Sequence, residues 1–336
     1  MIVSVVAATG TAVANDMRRY RHAWEDRALP GAVIQAVDLA GMDRTRALAA
    51  VEDALAPVLD RPVTLRFEDR TWTTSLRDLG ATTDAEQVVD AAIDASRDVS
   101  WRTLAEVRWR GGQVPFEATV TVDQPRDAAR QLVRAIADEL HIAPVNAELS
   151  WNRERIWISP HRVGRAVQFE PTAEALLAAL RGEADTVAVA TEQLQPEVTT
   201  AAYSQVLFLR QGQHRLDLYL DGRVAGSYRV AVGTGNYPTP TGVYHVSQKR
   251  YRPTWVNPSP NGWGRGMPRR IGPGPNNPLG LRALNWSAPG AIRFHGTANV
   301  DSLGRDASHG CVRLSNPDIV ELYRQVDVGA VIVSIR

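Results

Sequence analysis

Cysteine is almost absent from this chain: Cys311 is the only one in 336 residues. No internal disulfide can form, so burial alone must hold the fold together. Lysine is equally scarce, since Lys249 stands alone and arginine supplies the remaining positive charge. The formal net charge is only +1, which argues against the global field of a protein that coats nucleic acid or membrane. Long apolar runs are missing too, since a helical bilayer span needs about 20 such residues. The nearest approach is "MIVSVVAATGTAVA", residues 1–14, which turns charged over residues 15–21. It lacks the basic stretch that opens a secretory signal. Residues 1–36 therefore read as an N-terminal segment holding the remnant of a membrane anchor or signal; the alternative is a plain buried strand or helix. In an exported protein a lone thiol is a liability unless it is used.

The chain does hold an internal repeat. "RTRALAAVEDALAPVL", "PVTLRFEDRTWTTSLRDLG" and "TTDAEQVVDAAI" are followed by "PRDAARQLVRAIADEL", "NAELSWNRERIWISPHRVG" and "EPTAEALLAAL". Phe67 aligns with Trp151, Trp72 with Trp157 and Gly80 with Gly164, an offset of about 84 residues. Each copy reads helix, hairpin, helix, because Leu48, Val51, Leu55 and Leu59 recur at helical spacing and Val63, Leu65 and Phe67 alternate. Asp84 and Thr172 stand where helix N-caps are expected. Neither copy gathers His, Cys or paired carboxylates into a catalytic pattern, so both read as spacer or binding modules, over residues 37–119 and 120–200.

From residue 201 onward the pattern changes. "QVLFLRQGQHRLDLYLDGRVAGSYRVAVG" alternates apolar and polar, with Asp221-Gly222 marking a hairpin turn. "GVYHVSQK", "GAIRFHG" and "VGAVIVSIR" are further strands, and "NPDIVELYRQV" is the one clear helix, with Asn316 as N-cap and Pro317 at its first position. The expected fold class is α+β: two small α+β repeats, then a mostly β domain over residues 201–336. Residues 253–290 are dense in proline and glycine yet contain Trp255, Trp263 and Trp286. A loop this long, with aromatics that disordered segments lack, reads as an ordered cover over a site.

"DASHGCVRLS" surrounds the lone thiol. A thiol that attacks a carbonyl needs a base, donors for the developing oxyanion, and access. Gly310 permits a sharp turn beside the sulfur, and the N–H groups of His309, Gly310 and Cys311 can converge on an oxyanion. Two histidines compete as base. His295, in "RFHGT", comes from a different element and can be aimed freely, so it is favoured over His309. No acid is an obvious orienter for His295, which leaves a backbone carbonyl. A zinc site from His295, His309, Cys311 and His245 is disfavoured because only His309 and Cys311 are close in sequence. From His245 to Arg313 inclusive there are ten Lys/Arg and only Asp301 and Asp306 as acids, which suits an anionic substrate. Single-stranded nucleic acid would also fit basic loops with tryptophans, but no nucleic-acid-binding motif accompanies them.

With these residues in place, "HGTANVDSLGRDASHGCVRL", "TPTGVY" and "HRLDLYLDGRVAGSYRVAVG" together resemble the L,D-transpeptidase catalytic domain of the YkuD-like family. The two upstream copies resemble the peptidoglycan-binding repeats that often precede it. The resemblance implies that Cys311 is the nucleophile and His295 the proton acceptor and donor, oriented by the Gly296 carbonyl. It implies oxyanion N–H groups at His309, Gly310 and Cys311, and a pocket shaped by Ser308 and Arg313, although several members carry asparagine where Arg313 stands. Arg313, Arg293, Tyr251 and Trp263 are the expected substrate-binding residues. The implied reaction joins peptidoglycan stem peptides through a thioester, with acylation by carbapenem-type β-lactams as a corollary. The alternatives are an L,D-carboxypeptidase with water as acceptor, attachment of a protein to the stem, and a non-enzymatic wall-binding protein. The expected partners are stem peptide and glycan, with no nucleic acid, no cofactor and no metal. The expected setting is the cell envelope or wall, with a monomeric chain attached to the membrane at its N-terminus.

Overall fold

A computed structural model describes residues 2–274 and 276–336, with residues 2–11 described by their backbone alone. The chain divides into two compact units, residues 1–142 with 165–192 and residues 143–164 with 193–336.

In the first unit the helix–hairpin–helix order of the repeat is present: helices Arg44–Leu59 and Ala85–Arg97 flank strands Val63–Phe67 and Arg70–Thr74. Val51, Leu55 and Leu59 are buried as their spacing requires, while Leu48 packs at the margin. Helices Arg126–Leu140 and Phe169–Leu180 of the second copy join the same core, where Val133, Ile136 and Leu176 meet Val51 and Val89. Strand Thr186–Ala188 pairs parallel with Val63–Phe67. The compact units thus cut the chain elsewhere than the 119/120 and 200/201 boundaries of the repeat. The second copy's hairpin, Glu148–Trp151 with Ile156–Ser159, belongs to the other unit. A two-stranded hairpin cannot bury its own apolar face, and this one sets Ile156 against Val206, Phe208, Tyr219, Val331 and Val333.

Two helix starts differ from expectation. Asp84 occupies the cap position, but its carboxylate accepts the Thr121 N–H at 2.7 Å instead of capping. Thr172 lies inside helix Phe169–Leu180, where its hydroxyl accepts the Ala190 N–H. At the N-terminus residues 2–14 of the apolar run form the first part of helix Ile2–Ala23. Among the described residues no helix is long and apolar enough to cross a membrane.

The second unit is built on an eight-stranded sheet. In spatial order its strands are Arg223–Arg229, Arg215–Leu220, Gln205–Arg210, Val331–Ile335, Gly242–Tyr251, Arg282–Trp286, Arg293–Thr297 and Val312–Ser315. The Asp221-Gly222 turn has positive φ at both residues, 47° and 76°, as a tight hairpin turn requires. Strand Gln205–Arg210 is buried on both faces. Leu207 and Leu209 face the main core with Ile332, Phe294, Val312 and Leu314, while Val206 and Phe208 face Ile156. Helix Asn316–Gln325 closes the main core through Ile319 and Leu322. Its cap is Ser315, which accepts the Asp318 N–H, so Asn316 is freed to accept the Leu281 N–H at 2.9 Å.

Candidate active site

The last two strands of the sheet position the chemistry. Arg293–Thr297 and Val312–Ser315 run parallel, with Phe294 opposite Val312 and His295 opposite Arg313. Side chains alternate along a strand, so Phe294, Val312 and Leu314 enter the core while Arg293, His295, Cys311 and Arg313 share the other face. All four line one groove of about 480 Å³ with Ser308, His309 and Trp263.

His295 is 5% exposed, and its Nδ1 lies 2.7 Å from the Gly296 carbonyl oxygen. A carbonyl only accepts, so Nδ1 carries the proton and Nε2 keeps its lone pair. Burial holds the His295 pKa down to about 4; the Gly296 carbonyl pulls it up, and the charges of Arg313 and Arg293 add to the depression. Burial pushes the Cys311 thiol above its ordinary value, against Arg293 and Arg313, which favour the thiolate. The resting pair is therefore neutral thiol and neutral imidazole. Cys311 is half-buried, and its Sγ lies 3.9 Å from the Ala291 carbonyl oxygen. Among the described residues the thiol makes no hydrogen bond to His295.

This state carries a stability signature. Between pH 6.5 and about 4 the unfolded chain binds a proton at this position that the folded chain refuses. Stability therefore falls on acidification, by about 3 kcal/mol across that window. Chemical denaturation at pH 7 and pH 4 is expected to show this loss in the wild type and not in His295→Asn.

Cys311 sits in a short, heavily tied segment. Gly310 has φ +99°, and a Cβ there would lie 3.1 Å from Ile292 Cδ1. The Ser308 hydroxyl accepts the Gly310 N–H at 3.2 Å and donates to the Cys311 carbonyl at 2.5 Å. The Gly310 amide is thus already engaged, which corrects the expectation of three converging donors. Among the described residues the N–H groups of His309 and Cys311 have no protein acceptor. The His309 ring stacks on Trp263, with centroids 4.0 Å apart and planes 12° apart, and Tyr237 lies across it at 4.7 Å. Burial and the Arg313 charge lower its pKa. This ring is an aromatic contact to the cover.

The proline- and glycine-rich segment is folded as a cover and fastened by two buried asparagines. The Asn277 amide donates to the carbonyls of Pro253, Ile271 and Gly272 at 3.1, 2.9 and 2.8 Å. Asn257 donates to the Gly264 carbonyl at 2.8 Å. Trp263, Arg293 and Arg313 line the groove as expected, but Tyr251 does not. Tyr251 is 65% exposed, with the Arg282 guanidinium 3.8 Å over its ring. His245 pairs with Val331 across the sheet and is not among the groove's lining residues.

Residues 204–335 match the family model described as the L,D-transpeptidase catalytic domain, YkuD. The chain carries an L,D-transpeptidase catalytic domain. Residues 72–188, ahead of it, match a model described as "Putative peptidoglycan binding domain". Among curated relatives, the "Putative L,D-transpeptidase YqjB" of Bacillus subtilis is 32% identical over 120 residues, covering 34% of this chain and 62% of the relative. The "Putative L,D-transpeptidase in ATP synthase subunits region ORF 5" of Fuscovulum blasticum is 39% identical over 92 residues, covering 27% of this chain and 48% of the relative. The chain therefore spans about half to under two thirds of the length of these relatives. A solved Enterococcus faecium L,D-transpeptidase is similar at 16% identity and TM-score 0.36, covering 86% of this chain and 99% of that one.

Proposed function

We propose that this L,D-transpeptidase domain cross-links peptidoglycan stems through a thioester on Cys311. The observation that carries the reading is the shared groove face: a thiol, an imidazole with a free Nε2, and two arginines with no acid beside them. The Cys311 sulfur attacks the carbonyl of the third residue of a tetrapeptide stem as His295 Nε2 takes the thiol proton. His295 returns that proton to the departing D-alanine amine. The side-chain amine of a second stem then loses a proton to His295 and attacks the thioester, releasing Cys311. The His309 and Cys311 N–H groups face the developing oxyanion.

Burial depresses the His295 pKa, and the charges of Arg313 and Arg293 add to that depression. A stem carboxylate bound against them offsets that charge and makes His295 a stronger base when substrate is present. Trp263 stacks the cover against the nucleophile segment, so the groove favours an amine acceptor over water. The same reading assigns residues 201–336 to catalysis and the preceding segments to holding peptidoglycan. It places a monomer at the cell wall, attached to the membrane at its N-terminal segment.

The test is product analysis. Incubation with a disaccharide-tetrapeptide is expected to give free D-alanine and a cross-linked dimer, read by mass spectrometry. Tripeptide without dimer would assign carboxypeptidase activity, and unchanged tetrapeptide would overturn the reading.

A further inference from the structure

Thr239 stands outside the groove lining, yet it controls the peptide group beside the nucleophile. It is 2% exposed. Its Oγ1 accepts the Gly233 N–H at 2.8 Å and donates to the Gly310 carbonyl at 2.9 Å. Gly310 C=O and Cys311 N–H belong to one planar trans peptide, so they point in opposite directions. Whatever holds the carbonyl aims the N–H. At φ +99° Gly310 has no side chain of its own to restrict that plane, and the Ser308 hydroxyl holds the neighbouring Gly310 N–H instead.

Thr239 is itself held. Its own carbonyl and that of Pro240 accept from the buried Gln211 amide at 3.2 and 3.3 Å, and Gln211 also donates to Ser334 Oγ at 2.9 Å. Ser334 lies in the central Val331–Ile335 strand. The Thr234 N–H bonds the Ser308 carbonyl at 3.0 Å, which keeps the 233–239 turn against the nucleophile segment. A continuous hydrogen-bonded chain therefore runs from the middle of the sheet through Gln211 and Thr239 to the Gly310–Cys311 peptide.

We propose that Thr239 is a positioning residue for the oxyanion: its hydroxyl fixes the Gly310–Cys311 peptide plane and so points the Cys311 N–H into the groove. The hydrogen bond also polarises the peptide, which strengthens the N–H as a donor. This rests on the transpeptidase reading.

Thr239→Val keeps the shape and removes the hydroxyl, while Thr239→Ser keeps the hydroxyl. Iodoacetamide alkylation of Cys311 needs a thiol but no oxyanion donor, whereas acylation by a carbapenem needs both. Thr239→Val is expected to lose about 30-fold in acylation rate and in kcat for tetrapeptide, with KM and alkylation rate within about twofold of the wild type. Thr239→Ser is expected to restore acylation to within about threefold. Should the valine variant fail to fold, Thr239→Ala, which admits a water in place of the hydroxyl, is expected to fall between the other two. Acylation by Thr239→Val at the wild-type rate overturns the proposal, as does a parallel loss of alkylation or a serine variant no better than valine. No adduct on the wild type itself would instead overturn the transpeptidase reading, and the role of Thr239 would fall with it.

Discussion

Cys311→Ala is expected to take up no carbapenem under conditions where the wild type gains one molecule per chain, read as intact mass. The β-lactam carbonyl is a strained acyl donor, and the groove offers it one thiol, with Arg293 and Arg313 in the same lining. With no second cysteine in the chain, a thiol adduct has only one place to form. Cys311→Ser is expected to fail almost as completely, by at least about 10³-fold in acylation rate, because the base is weak. An imidazole held down to about 4 can draw a proton from a thiol as the sulfur attacks, but a hydroxyl is far more reluctant to ionise. The arginine charges that assist a thiolate are spread over a large polarisable sulfur and do not make up that difference. A carbapenem adduct on the alanine variant would move the acylated residue away from Cys311 and remove the basis of the mechanism.

The residues of this site stand out in the sequence by their chemistry, a lone thiol beside a glycine and a histidine on another element, while their shared face follows from a strand pairing that residue order does not show. Once "RFHGT" and "CVRLS" are taken as adjacent strands, alternation alone puts Arg293, His295, Cys311 and Arg313 on one face. His295 is preferred over the nearer His309 because its element can be aimed freely, and residue order gives no sign that the His309 ring stacks on Trp263. What was not legible depends on partners far away in sequence. The Gly310 amide is engaged by a hydroxyl two residues earlier, a choice set by the loop's dihedrals and invisible in residue order. Thr239 sat inside a recognisable stretch, "TPTGVY", but its partner Gly310 lies 71 residues away. Asn257 and Asn277 look like loop asparagines until their amides are seen tying the cover together from within. Tyr251 lies outside the groove lining, with its ring in solvent under Arg282, a placement set by strand register rather than residue order.

The repeat teaches the complementary point. Both copies do form helix, hairpin and helix, so local pattern was a sound guide to elements. It does not by itself say which core a hairpin joins, because burial of a hairpin is decided by whichever apolar face is available. The first copy's hairpin finds strand Thr186–Ala188, while the second finds Val206 and Phe208 of the catalytic sheet. Strand Gln205–Arg210 is apolar at consecutive positions for the same reason: each of its faces has a core to fill.

His295→Gln is expected to lower the acylation rate by about 10³-fold near neutral pH and, more tellingly, to change the shape of its pH dependence. In the wild type the competent form is neutral imidazole with neutral thiol, so the rate should rise through an acid limb at about pH 4 and then stay level through neutrality. Because burial dominates that depression, no limb belongs near the ordinary histidine value of 6.5. Without the imidazole, only the small fraction of spontaneous thiolate can react. Burial places the Cys311 thiol above its ordinary value, so the variant's rate should climb about tenfold per pH unit through neutrality, with no plateau until that raised value is passed. His309→Ala serves as the comparison: it removes the ring stacked on Trp263 but not its backbone N–H, so it should keep the level profile while losing less than about tenfold. A flat profile in His295→Gln, or a tenfold-per-unit climb in His309→Ala, would exchange the roles of the two histidines.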